Sequence, residues 1–157
     1  MIVSPIATGN GAYIVHKMLE QSIKNYQVLP YHPYRTLIPP SLWPLGRKAQ
    51  PSIIHTTPDY AFFHKQKSAP LIITFHVLDA FMRTYSSKLQ STHYQTDLRW
   101  LTKKAVAIAD EITAVSQFTA DLVRNELGVT KTIKVIYNGV DESSFTPSSG
   151  NTRANGE

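Results

Sequence analysis

Three short stretches of the chain hold residue types that bind or transform small polar molecules. The first, Gly9-Asn10-Gly11, stands between an apolar run and an amphipathic one. Glycines there let backbone N–H groups approach an anion, and a helix N-terminus behind them adds a favourable dipole, so a phosphate or diphosphate fits; a tight turn with no ligand fits equally well. A dinucleotide fingerprint fits poorly, because Ile14 stands where the third glycine belongs and Leu29-Pro30-Tyr31 offers no acid to a ribose hydroxyl. NAD is therefore disfavoured. The second stretch is His76, directly after the run Leu71–Phe75, with Asp79 three residues on. In an open α/β sheet ligands lie beyond the carboxyl ends of the strands, where a neutral imidazole either exchanges hydrogen bonds with a sugar hydroxyl or caps a loop. His55, near the end of Ile53-Ile54-His55-Thr56, is the weaker candidate of the same kind. His16, His32, His64 and His93 are scattered, without HExxH spacing or clustered carboxylates, so no metal centre is expected. The third stretch runs from Ala109 to Pro147 and is taken up below.

These residues need elements to hold them. Ile2–Ala7 reads as a buried strand ending in the turn Thr8–Gly11, and Ile14, Val15, Met18, Leu19 and Ile23 recur at helical intervals between Ala12 and Ile23. Tyr26–Leu29 is a candidate second strand. Seven of the ten prolines then fall between Pro30 and Pro58, which excludes a regular helix and predicts a long surface excursion. Its residues Tyr31, Tyr34, Leu37, Ile38, Leu42, Trp43 and Leu45 are unusual for a passive linker: they pack on the domain or meet something else. Ile53–Thr56 and Leu71–Phe75 are short, β-branched runs, as buried parallel strands should be. A helical segment lies between Lys88 and Ala109, with the stripe Leu98, Leu101, Ala105 and Ile108. Glu111–Val115 is a fifth strand, Ser116 an N-cap, Phe118, Leu122 and Val123 a helical face, and Gly128 a left-handed stop. Ile133–Tyr137 is a sixth strand leading to Asn138-Gly139, a pair that readily turns the chain at positive φ. The alternation predicts a doubly wound, mostly parallel α/β sheet, Rossmann-like, with helices on both faces. Residues 148–157 lack apolar periodicity and read as a disordered tail or a cut-short linker after a domain spanning 1–147.

Composition sets the limits. The chain has 157 residues, 42% apolar and 17% charged, with no cysteine and a formal charge of +5. That suits one folded domain and excludes intrinsic disorder, disulfides and thiolate chemistry. No run approaches the roughly 18 apolar residues of a membrane span, and no basic lead precedes a hydrophobic stretch as in a secretory signal, so a cytoplasmic location is expected. Residues 1–50 carry five Lys/Arg against one acid, residues 51–110 seven against four, and residues 111–157 four against six. The basic residues are dispersed, and no RNA-binding aromatic motif or recognition helix accompanies them, so nucleic acid is not an expected partner.

The third stretch carries a resemblance. Ala109-Asp110-Glu111-Ile112-Thr113-Ala114-Val115-Ser116-Gln117-Phe118-Thr119, then Lys134-Val135-Ile136-Tyr137-Asn138-Gly139-Val140-Asp141 and Phe145-Thr146-Pro147, closely resembles the end of the N-terminal domain in family 4 glycosyltransferases of the GT-B fold. In that family two Rossmann-like domains face each other across a cleft, and a hexosyl group passes from a nucleoside diphosphate sugar with retention, typically without a bound metal or other cofactor. The resemblance implies that Gly9, Asn10 and Gly11 approach the donor diphosphate and that His76 contacts the transferred sugar. It offers Asp79 and Ser116 as contacts to acceptor or sugar, although Val77 and Leu78 separate His76 from Asp79 where many members have His-Asp directly, and an N-cap alone explains Ser116. Asn138, Gly139 and Asp141 match the lead into the interdomain linker. The chain shows neither the Arg/Lys pair nor the Glu-x7-Glu motif of the second, donor-binding domain, so it reads as the acceptor half, inactive alone. The expected partners are a sugar nucleotide, a glycan or lipid-linked acceptor and that second domain, with the aromatic, basic excursion Tyr31–Lys48 facing the acceptor or a membrane surface. A non-catalytic module binding a glycan, lipid headgroup or protein is the competing reading.

Overall fold

A computed structural model of the chain describes residues 1–45, 50–59, 61–66, 68–77 and 99–139. Six strands form one sheet: β1 (Ile2–Ala7), β2 (Tyr26–Tyr31), β3 (Ile53–Thr56), β4 (Leu71–Phe75), β5 (Glu111–Ala114) and β6 (Ile133–Val135), in the order β2-β1-β3-β4-β5-β6. Every pairing is parallel. The described helices are α1 (Gly11–Ser22), α2 (Arg99–Ile108) and α3 (Gln117–Leu127), and three 3₁₀ turns occupy Pro33–Leu37, Pro39–Leu42 and Ala61–His64. The predicted Rossmann-like architecture is thus present. Lys88–Leu98, Asp79, Asp141 and the stretch 148–157 lie outside the described residues.

Because side chains alternate across a strand, each strand feeds both faces of the sheet. On one face Ile54, Leu71, Ile73, Phe75, Ile112, Ala114 and Ile133 join Ala105, Val106, Ala120, Val123 and Leu127 of α2 and α3 in a continuous apolar core. We call this the closed face. Its helices are pinned at their ends. Ser116 Oγ accepts from Thr119 N at 3.1 Å, Gly128 takes φ 66° at the C-terminal end of α3, and Lys131 Nζ donates to the Ala107 and Ala109 carbonyls at 2.9 and 2.8 Å. Asp110 accepts from Leu71 N at 2.7 Å and pairs with Lys65, which holds its carboxyl below the usual carboxylate range.

The opposite face is covered over β1 and β2 by α1, and here the helical stripe differs from expectation. Ile14 is 61% exposed and Met18 and Ile23 are also exposed, whereas Ala12 and His16 are buried. Ala12, Val15, His16 and Leu19 are the inward residues, again at intervals of three and four. A rotation of the expected face therefore puts an imidazole against the sheet. Phe118 is likewise 66% exposed while Thr119, Ala120, Val123 and Leu127 face inward from α3.

Prolines shape the strands. β2 runs on through Pro30 to Tyr31, which an edge strand tolerates because the missing N–H faces no neighbour. Pro5 sits in β1, between two partners, and the β1–β3 ladder is confined to Ile2↔Ile53 and Val3↔Ile54. Beyond it the Thr56 hydroxyl, not a strand amide, reaches the Pro5 carbonyl. In the proline-rich excursion Tyr31 and Leu42 pack with Leu101, whereas Tyr34, Ile38 and Trp43 remain exposed. Among the described residues no helix is long and apolar enough to cross a membrane.

Candidate functional site

The turn after β1 is built by its own residues. Gly9 takes φ 86°, a left-handed conformation that glycine adopts without strain, and Asn10 caps α1 by accepting from Tyr13 N at 2.8 Å. A side chain on Gly11 would meet nothing within 4 Å, so the first turn of α1 faces open space. That space is a cavity of about 370 Å³ at the carboxyl ends of the strands, lined by Asn10 and Gly11, by Thr57 and Asp59 after β3, by His76 and Val77 after β4, and by Asn138 after β6. Four sequence candidates, Asn10, Gly11, His76 and Asn138, converge here. The site lies where the strand order reverses between β1 and β3, the crevice in which open α/β sheets bind ligands. Ser116 lines neither this cavity nor the next; its hydroxyl is engaged with Thr119. Neither Asn138 nor Gly139 takes positive φ, and the chain leaves β6 past both cavities.

Beneath His76 lies a group of residues that spacing alone left scattered. A second cavity of about 460 Å³ opens on the α1 face, with apolar walls from Val15, Leu19, Ile53, Ile72 and Ile136 and a polar floor of His16, Tyr26, His55, Thr74, His76 and Thr113. His76 borders both cavities. The imidazole centroids of His16 and His55 are 4.6 Å apart, those of His16 and His76 5.6 Å. His16 Nδ1 lies 2.7 Å from both Ser4 Oγ and Tyr26 Oη, Tyr26 Oη lies 2.8 Å from His55 Nδ1, and His55 Nε2 lies 2.7 Å from Thr74 Oγ1. Thr74 and Thr113 hydroxyls are 2.6 Å apart. Sequence reasoning missed His16 and Tyr26; the signal for His16 was its place in the Ala12-Val15-His16-Leu19 stripe.

Burial governs the charge state. It pushes His16 down to about 3, helped by His55 and His76, and His55 down to about 4, helped by His76. His76 is lowered by burial as well, and the Tyr26 phenol is raised to about 12. The imidazoles are therefore hydrogen-bonding groups, not cations. No Lys or Arg is among the described residues lining the strand-end cavity, so backbone amides at the start of α1 are the anion-attracting element on this wall. Although three histidines meet, no group of three or more His, Asp or Glu among the described residues is arranged to hold a metal ion.

The model of Glycosyltransferase Family 4 matches residues 5–144, nearly the whole chain. The chain belongs to this family. Among curated proteins no match was found. The glycosyltransferase match runs from within β1 through β6, and so includes the candidates at the strand ends as well as the Ala109–Pro147 string as far as residue 144.

Proposed function

We propose that this glycosyltransferase domain is the acceptor-side half of a retaining enzyme that moves a hexosyl group from a nucleoside diphosphate sugar to a glycan or lipid-linked acceptor, in the cytoplasm and with no cofactor. The observation that carries the reading is the convergence of the Asn10-Gly11 helix start, His76 and Asn138 on one cavity at the strand ends. In that cavity the α1 amides face the donor diphosphate, where preorganised donors stabilise a leaving anion without reorganising. His76, neutral and half-buried, suits a sugar hydroxyl better than a phosphate. The other half of the donor site belongs to a second domain.

The test is transfer by the two-domain enzyme. His76→Ala removes one neutral hydrogen bond to a polar ligand and should lower kcat/KM by about 3- to 10-fold, corresponding to roughly 0.5–1.5 kcal/mol; an unchanged kcat/KM overturns the role given to His76. Robust turnover of a nucleoside diphosphate sugar by residues 1–157 alone would overturn the half-site reading. The exposed Tyr34, Ile38 and Trp43 support an acceptor- or membrane-facing surface on the excursion. Flotation with anionic vesicles at low and high salt checks the membrane version, which fails if no binding occurs at either.

A further inference from the structure

The hydrogen bonds under α1 can be given a direction, because one end of the chain is a carbonyl and a carbonyl only accepts. Thr113 Oγ1 donates to the Ile73 carbonyl at 3.3 Å. Taking the carbonyl as the destination of its single proton makes Thr74 the donor in the 2.6 Å contact, where the geometry suits either hydroxyl. Thr74 Oγ1 is left with lone pairs towards His55 Nε2 at 2.7 Å, so neutral His55 carries its proton on Nε2. His55 Nδ1 becomes an acceptor, and Tyr26 Oη donates to it across 2.8 Å. Tyr26 has no second proton. At 2.7 Å from His16 Nδ1 its oxygen must accept, since two acceptors at that distance would repel, and neutral His16 carries its proton on Nδ1 with Ser4 Oγ as a second partner.

The far end of the chain is what matters. His16 is 0% exposed and its Nε2, left as a bare lone pair, has no partner among the described residues; His76 Nε2 is buried and in the same position. Both rings line the α1-face cavity with centroids 5.6 Å apart, and neither Nε2 is within hydrogen-bond distance of the other, so a link between the two nitrogens runs through a bridging oxygen. We propose that His16 is a positioning residue for His76: its bare Nε2 accepts from one bridging hydroxyl whose oxygen accepts from His76 Nε2–H, which leaves His76 Nδ1 as the acceptor offered to the site. The group that His76 recognises is then a hydroxyl that donates, not a phosphate or carboxylate oxygen. This last step rests on the proposed glycosyltransferase site; the tautomer itself does not.

Two-bond ¹H–¹⁵N correlations on the ¹⁵N-labelled 157-residue chain separate the two neutral tautomers. The expected spectrum shows His16 as Nδ1–H and His55 and His76 as Nε2–H. His16→Leu should move His76 towards a mixture of tautomers, and Thr113→Val, which frees the anchored end and keeps the side-chain shape, should do the same to His55 and His16. His16 observed as Nε2–H, or His76 unmoved in His16→Leu, overturns the inference whatever the activity. The expected tautomers together with an unchanged kcat/KM in His76→Ala would uphold the positioning role and overturn the sugar contact. If both readings hold, His16→Leu in the two-domain enzyme should lower kcat/KM by about 3- to 10-fold, the share of one neutral hydrogen bond.

Discussion

The two faces of the sheet are drawn from alternating residues of the same strands, and they are organised on opposite terms. On the closed face β4 contributes Leu71, Ile73 and Phe75 to an apolar core sealed by α2 and α3, whose buried residues include Thr102 and Thr119. On the α1 face the same strand contributes Ile72 and Thr74, His76 follows its end, and the other strands add Ser4, Tyr26, His55 and Thr113. The closed face gains its stability from area and packing density, which are insensitive to pH. The α1 face holds buried polar groups that are tolerable only because almost every one has a partner, and it reserves two unpartnered nitrogens near the strand-end cavity. Stability and recognition are thereby assigned to different sides of one six-stranded scaffold.

That contrast can be broken experimentally at several strengths. Phe75→Ala or Leu71→Ala empties a fully buried position on the closed face and should cost about 3–5 kcal/mol in urea denaturation. Acidification should act mainly through buried histidines. His16 and His55 have folded pKa values of about 3 and 4 against 6.5 unfolded, so between those values the unfolded chain binds more protons and stability falls as pH falls. A loss of about 5 kcal/mol between pH 7 and 4.5 is expected from these two groups together, and their contribution fades out above about pH 7.5. His64, buried beside the third 3₁₀ turn with a pKa of about 4, adds to the same trend. His55→Gln should make the slope shallower, whereas Leu71→Ala should lower the whole curve without changing its slope. Tyr26→Phe leaves His55 Nδ1 without a partner and His16 Nδ1 with Ser4 alone, and should cost about 1–3 kcal/mol. Ser116→Ala removes a cap on the closed face and should cost about 1 kcal/mol. Ile14→Ser, on the outward side of α1, should stay within about 0.5 kcal/mol.

The closed face was the more legible of the two. Its strands are short runs rich in Ile, Val and Thr, and the Ser116 cap and Gly128 stop are signals that act over a few residues, so β4, β5, α3 and β6 are found close to where the sequence predicts them. The α1 face misled because its core is not apolar. A stripe chosen for hydrophobicity selects Ile14, Met18 and Ile23, which are exposed, and passes over His16, whose inward position depends on hydroxyls from β1 and β2 that no local pattern relates to it. The glycine loop, His76 and Asn138 were legible as candidates because strand ends can be located from sequence. Their convergence on one cavity follows from strand order, which cannot.

Pro5 gives the sheet a mechanical property. β1 and β2 share six paired positions, while β1 and β3 share two, both near the amino ends of the strands. The sheet is consequently stitched as two panels, one of two strands and one of four, along a seam that stops before the ligand crevice begins. Residues on the two sides of that crevice, the α1 start on one panel and His76 on the other, are joined chiefly by side chains: the Thr56 hydroxyl on the Pro5 carbonyl, and Tyr26 reaching His55. Widening or narrowing of the crevice therefore strains a few side-chain contacts and leaves the backbone ladders of both panels whole.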